Sequence, residues 1–243
     1  MTTSDYTPLH LDWPGMHNVR DLGGLPVRDG HIKQGALIRA ESLTRLGDGG
    51  VDRLAAEGVS RVIDLRRVGE SSEPHPYADD GDIYVNLPVE DPGDLKTMAE
   101  SMAELYVEMV DARPDLFAGA VAAIADAPAG AVVVHCAGGK DRTGLVVAMA
   151  LTLAGADPDR VAADYALTQE RNAPLVNGYL ESIEDETARE RVREFIATPE
   201  SNMLTVLEHI DAEHGGVEAY LRSGGLSEDQ ARRLRQRLVT DET

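Results

Sequence analysis

Residues Ala131 to Gly144 read AVVVHCAGGKDRTG, and they restrict the fold more than any other stretch of the chain. Ala131–His135 is a β-branched apolar run bounded by Gly130, the pattern of a buried strand. From Thr143 the sequence continues TGLVVAMALTLAG, a buried helix closed by Gly155. A strand that feeds a helix through a short loop is the building unit of α/β folds. Such a loop aims several backbone N–H groups at one spot, and the helix dipole adds positive potential there. Gly138 and Gly139 let the loop curl so that successive amides converge. Ala137, Gly138, Gly139, Lys140 and Thr143 are therefore the candidate substrate-binding residues, and a tetrahedral dianion is the natural ligand.

Cys136 opens this cradle, and Arg142 returns to its rim in the spacing Cys-x₅-Arg. A planar guanidinium matches two phosphate oxygens at once. The same amides and guanidinium stabilise a thiolate, and a thiolate is a ready nucleophile for phosphorus. Thr143 places a hydroxyl where it can bond the sulfur and help it leave. A lone cysteine is ordinarily just a small buried residue. Here His135 precedes it and Arg142, Thr143 and Gly144 follow at fixed positions, a coincidence on the order of one in 10⁴ to 10⁵ from typical composition. The segment is not a nucleotide-binding Walker loop, because Asp141, not Ser or Thr, follows Lys140.

The rest of the chain fits around this unit. Pro26 to Ala40 reads as a hairpin turning at Asp29-Gly30. Val51–Glu57 reads as a helix capped by Gly58, and Arg61–Leu65 and Asp82–Leu87 as short strands. Leu95, Met98, Met102, Leu105, Met109 and Val110 recur at helical spacing, and Pro114 starts a second helix to about Ala127. Asp157-Pro158 and Thr198-Pro199 each open a helix, the latter ending at Gly215, and Ser227–Val239 closes the chain as an amphipathic helix. Strands alternating with helices predict an α/β domain with a mostly parallel sheet, 1–243 as one unit, and a C-terminal third, 157–243, that is all helical.

The net charge of −20 argues against nucleic acid or an anionic membrane as a partner. It also means that an anionic substrate needs a local positive field. One cysteine permits no internal disulfide and no cysteine-rich zinc site. The N-terminus lacks the pattern of a signal peptide, and the longest apolar run, Leu145–Ala156, is too short to span a bilayer. These features predict a cytoplasmic protein without stable membrane insertion, with export lacking a cleaved signal left open.

The Cys-x₅-Arg-Thr loop resembles that of the protein tyrosine phosphatase superfamily, and HCAGGKDRTG is similar to a bacterial branch whose loop reads HCxxGKDRTG. The resemblance extends to Asn18–Gly24, Leu37–Glu41, Ile63–Arg66, Ala163–Tyr165 and Gly216–Leu221, so it covers nearly the whole chain. It implies a three-layer α/β/α fold and a two-step reaction through a cysteinyl-phosphate, without metal or cofactor. It also implies phosphorylated proteins or phosphoinositides as substrates: phosphotyrosine, in some members phosphoserine/threonine, and lipid headgroups. Lys140, at the loop position linked to lipid or broad specificity in that branch, becomes the residue to watch.

Several assignments stay open at this level. Asp91, in LPVEDPGD after the strand ending at Leu87, is one candidate general acid, since parallel strands deliver their C-terminal loops to one sheet edge. Asp141 is the other, or it orients the loop. Asp12-Trp13-Pro14 has the wrong order and place for an acid loop, and Trp13 suits an anchor for the N-terminal arm. Asp64 suits an architectural role, bonded to Arg66 or Arg20. The methionine stripe suits core packing, with a two-helix lid over 95–127 as the functional alternative. Arg232, Arg233, Arg235 and Arg237 make a basic face, by default a solvated one. Rival readings are a rhodanese or arsenate reductase, which the loop pattern and the lack of further thiols disfavour, and a non-catalytic phosphate-binding module, which would not need the thiol.

Overall fold

The computed structural model describes residues 6–90, 93 and 99–241. Its strands are β1 (Leu9–His10), β2 (Arg20–Asp21), β3 (Pro26–Val27), β4 (Gly30–Ile32), β5 (Leu37–Ala40), β6 (Val59–Asp64), β7 (Tyr84–Asn86), β8 (Ala131–His135) and β9 (Val239–Asp241). Its helices are α1 (Gly50–Ala56), α2 (Met102–Ala112), α3 (Pro114–Ala125), α4 (Asp141–Leu153), α5 (Pro158–Ala166), α6 (Thr168–Arg171), α7 (Ala173–Glu181), α8 (Glu186–Ile196), α9 (Glu200–His214), α10 (Val217–Ser223) and α11 (Glu228–Leu238). The main sheet is ordered β1-β2-β5-β8-β6-β7. Strands β5, β8, β6 and β7 run parallel, and β1 and β2 add an antiparallel edge.

Period-two alternation sorts the sheet residues between two cores. Leu37, Ile63, Val132 and Val134 point into a large cluster with α3, α4, α9, α10 and α11. Ile38, Val62, Ala131 and Val133 point the other way, against Leu54 of α1 and the N-terminal arm with Leu11, Trp13 and Met16. Strand β8 is buried along its whole length because both faces are covered, which is why it reads as an unbroken apolar run. Each fully buried valine there contributes roughly 1.5–3 kcal/mol. The layers are those of an α/β/α sandwich, though the second layer is one short helix and an arm. Trp13 is 1% exposed and fixes that arm, as its isolated position in the sequence suggests.

Several expectations shift. The stretch Pro26–Ala40 is not one hairpin. β3 and β4 form a small one with Val27 opposite Gly30, then Gly35 turns the chain at φ +69° and β5 joins β8. The C-terminal third is not wholly helical, since β9 pairs with β4 in a second, three-stranded sheet. Three residues are too few for a periodic signal to show in sequence. Helix α4 starts at Asp141, two residues before Thr143, so Asp141 and Arg142 belong to its first turn. The terminal arginines are not a free basic face. Arg232 and Arg233 pair with Asp229, Arg233 also with Asp126, Arg235 with Glu218, and Arg237 caps carbonyls of Ala127, Pro128 and Gly130.

Of the segment 95–127, residues 95–98 lie outside the described residues, Met98 with them. Helices α2 and α3 are packed: Tyr106, Val110, Phe117, Val121 and Ile124 are all fully buried, and Met102 and Met109 nearly so. A cover swinging as one body would expose that surface. Helix α8 buries no residue and α7 only Leu180. Hydrogen exchange should therefore be slow in α3 and fast in α8. Equal protection of the two helices, or a large change in α3 on adding a phosphate analogue, would contradict this.

Candidate active site

The loop Cys136–Lys140 leaves the C-terminal end of the central strand β8 and delivers the chain to α4. Its conformation is dictated at Gly139, where φ is +64° and an added Cβ would lie 2.5 Å from the Ala40 carbonyl oxygen. The carbonyls of Ala137, Gly138 and Gly139 are held from outside the loop. Ala137 O accepts from Ser42 N (3.0 Å), and Gly138 O from Asn18 Nδ2 and Asn172 Nδ2 (both 2.9 Å). Gly139 O accepts from Arg39 Nη2 (2.8 Å) and Asn18 Nδ2 (3.3 Å). Among the described residues none accepts from the amides of Ala137, Gly138, Gly139 and Lys140. With the negative ends of these peptide dipoles turned out, the positive ends are left for a ligand, next to the N-terminus of α4. This is the local positive field that a chain of net charge −20 requires.

The groups gripping those carbonyls are themselves locked. Asp164 of α5 takes Arg20 Nε at 2.7 Å and Arg39 Nη1 at 2.5 Å, all three side chains being at most 2% exposed. Arg20 also bonds the Asp164 carbonyl (2.7 Å) and Asn18 Oδ1 (2.6 Å), which orients the Asn18 amide toward the loop. Burial alone would raise the Asp164 carboxyl, but Arg20 and Arg39 outweigh it and hold it below the usual carboxylate range. Burial, then the neighbouring Arg39, pushes Arg20 down to about 10.

Cys136 is 1% exposed at the foot of the loop, and Arg142 is the second residue of α4, in its first turn. Arg142 Nη1 and Nη2 both bond Glu70, at 2.5 and 2.7 Å, and Nη1 is 3.2 Å from Glu90. Burial would lower its pKa, but the bond to Glu70 and the charges of Cys136 and Glu90 outweigh it and hold the guanidinium firmly cationic. Glu70 takes the far edge of the guanidinium, and among the described residues none accepts from Nε. The side edge, Nε with one Nη proton, is thus left for an oxyanion. A cleft of about 630 Å³ opens beside the loop, lined by Ser42, Arg45, Arg66, Glu70, Ser71 and Ala137 among others. Arg66 is tied to Asp64 at 2.8 Å and to Ser42 Oγ at 2.8 Å, so Asp64 has the architectural part foreseen for it, with Arg66 and not Arg20.

Asp141 heads α4 with its carboxyl partly exposed. It is 3.3 Å from Lys140 Nζ and accepts a hydrogen bond from Tyr106 of α2, whose oxygen is 2.9 Å from that of Tyr165. Thr143 Oγ1 is buried without a hydrogen-bond partner, so the bond to the Cys136 sulfur anticipated from sequence is not formed. Asp91 lies outside the described residues.

Beneath the loop sits a relay that spacing does not reveal. Tyr77 N donates to His75 Nδ1 (3.1 Å), which places the His75 proton on Nε2. That nitrogen faces His135 Nε2 at 3.1 Å, so His135 carries its own proton on Nδ1, 3.2 Å from the Cys136 carbonyl. Burial, helped by His135, lowers His75 to about 3, and burial also lowers His135, so both rings are neutral and the chain of donors is fixed. Glu70, Tyr106, Asn172 and His75 all escape sequence reading. Tyr106 is hidden in the apolar stripe, and the others sit in segments without pattern.

Comparisons with known proteins bear on the chain as a whole. A sequence model of the group described as "Tyrosine phosphatase family" matches residues 11–240. A tyrosine-protein phosphatase of Nostoc commune is 31% identical over 230 residues, covering 85% of this chain and 75% of its own. The triple specificity protein phosphatase PtpB of Mycobacterium tuberculosis is 26% identical over 268 residues, covering 91% of this chain and 96% of its own.

Proposed function

This chain belongs to the tyrosine phosphatase family and is a hydrolase of that type, and from that premise we propose that it hydrolyses phosphomonoesters through a cysteinyl-phosphate on Cys136. The observation that carries the proposal is the loop in which the carbonyls of Ala137, Gly138 and Gly139 are bonded from outside while the amides of Ala137 to Lys140 are left for a dianion.

In the first step the Cys136 thiolate attacks phosphorus and the ester P–O bond breaks. The loop amides and the side edge of Arg142 take the three equatorial oxygens, and Glu70 and Glu90 position Arg142. A carboxylic acid gives its proton to the leaving oxygen. In the second step water attacks phosphorus, the P–S bond breaks, and the same carboxylate accepts the water's proton. Asp91 and Asp141 are the two candidates for this carboxyl. The bonds of Asp141 to Lys140 and Tyr106 favour it as the residue that sets the loop, and leave the acid to Asp91. In kcat–pH profiles, Asp91→Asn should flatten the limb set by the protonated acid, and Asp141→Asn should lower kcat without removing that limb. The reverse pattern would exchange the two roles.

Phosphotyrosine is the first substrate class to expect. The name of the M. tuberculosis relative, together with Lys140 in the loop, supports a wider range that includes phosphoserine/threonine or phosphoinositides. A reducing compartment such as the cytoplasm suits a chain whose one thiol is the nucleophile; no helix among the described residues is long and apolar enough to cross a membrane.

The test is turnover of p-nitrophenyl phosphate, then of phosphotyrosine, phosphoserine/threonine and phosphoinositide substrates, at pH 5–7 with EDTA present. Turnover that survives the chelator supports the proposal, and its absence alongside tight phosphopeptide binding would favour a binding module. Lys140→Ala should change the ranking of these substrates more than the rate on p-nitrophenyl phosphate.

A further inference from the structure

Two clusters of histidine and carboxylate lie within the described residues, and their chemistry separates them. In Asp64, His75 and His135 the ligand atoms are spoken for. Asp64 accepts from Arg66 and Tyr84, and His75 uses its second nitrogen to accept from Tyr77 N, which fixes a proton on the first. A cation placed there would displace a proton and sit against a guanidinium.

The second cluster has neither obstacle. Asp111, in the last turn of α2, meets His209 and His214 of α9. His209 Nε2 is 2.8 Å and His214 Nε2 3.3 Å from the same oxygen, Asp111 Oδ1. All three ligand atoms lie within 4.8 Å of one another. Among the described residues no lysine or arginine pairs with Asp111, and neither histidine's Nδ1 has a hydrogen-bond partner. His214 is steadied edge-on against the Tyr220 ring, whose hydroxyl is pinned to the Val110 carbonyl. The histidine side chains are 23% and 28% exposed, so water has access to complete a coordination shell.

We propose that Asp111, His209 and His214 bind one divalent ion of the zinc class, with water as the remaining ligand. Two imidazoles and a carboxylate are the donor set such borderline ions prefer. With bonds of 2.0–2.1 Å, neighbouring ligand atoms of a tetrahedral site are about 3.3 Å apart. His214 already stands at that separation, and His209 needs to open by roughly half an ångström. The net charge of −20 raises the local concentration of cations around the chain. The ion would staple α2 to α9. Since α2 also carries Tyr106, the donor to Asp141, the staple would steady that end of the loop without entering the reaction. This inference does not depend on the phosphatase reading.

The experiment is a calorimetric titration of Zn²⁺ into the untagged full chain bearing Cys136→Ser, so that the nucleophile takes no metal. One site per chain is expected, weakened at least tenfold by His209→Gln, by His214→Ala and by Asp111→Asn, each checked for native circular dichroism. Zinc at about 100 Kd should raise the melting midpoint by roughly 5–10 °C, and His209→Gln with His214→Ala together should remove that rise. No saturable binding, or binding unchanged in the double variant, would overturn the proposal.

Discussion

Cys136→Ser should reduce p-nitrophenyl phosphate turnover to background, a fall on the order of 10⁴- to 10⁶-fold. The reason is specific to this loop. Its free amides and Arg142 favour negative charge at the foot of the cradle, where sulfur is a far better nucleophile and leaving group than the oxygen of a serine. The substitution changes one atom at a site that is 1% exposed and touches none of the bonds holding the loop carbonyls, so folding should be unaffected. Binding of phosphate or tungstate should persist within a few-fold, because the amides and the guanidinium remain. Turnover and oxyanion binding therefore part company in this variant. Turnover that survives the substitution would remove Cys136 from the chemistry, and loss of both properties would mean that the loop had collapsed.

The second large effect lies one layer out. Asp164→Asn keeps the shape of the side chain but leaves Arg20 and Arg39 buried without a counter-charge. Removing one partner of a buried ion pair costs about 3–5 kcal/mol, which for a chain of this size lowers the melting midpoint by roughly 6–20 °C. Activity should fall with stability, since Arg39 and Asn18, which hold the Gly138 and Gly139 carbonyls, lose their anchor. The pH dependence has a definite sign. The folded carboxyl of Asp164 is depressed, so its stabilisation is present above the unfolded value of about 3.9 and is lost as pH falls through the folded value. Between neutral pH and strong acid the wild type should thus lose stability more steeply than Asp164→Asn, and the two denaturation curves should converge at low pH. Asp229→Asn, which breaks only exposed pairs to Arg232 and Arg233, should cost under about 1 kcal/mol. A neutral Asp164→Asn would show that the buried arginines find solvent or another partner.

These two residues mark how far sequence reading reaches. Cys136 is legible because its neighbours in the chain are also its neighbours in the site: strand, glycines, arginine and helix follow in order. Asp164, Arg20 and Arg39 are legible only as members of the short segments that carry the family resemblance. Their meeting spans 144 and 125 positions of chain. The same holds for Glu70, which holds Arg142 from 72 positions away, and for Tyr106, 35 positions from Asp141. Helical periodicity marks Tyr106 as a side chain facing inward. It carries no information about where the hydroxyl at its tip ends.

The sequence by itself determined the elements whose cause is local: β8 from its β-branched run, the turn at Gly139, the body of α4 and the anion-seeking loop between them. Local steric preference and the helix dipole act over a few residues, so a few residues suffice to read them. Only the tertiary structure decided which carbonyls are held, which edge of Arg142 stays open, and that β5 leaves its hairpin for the central sheet. Those outcomes depend on pairing buried polar groups across the molecule, where desolvation makes one partner necessary but leaves its address in the chain unspecified.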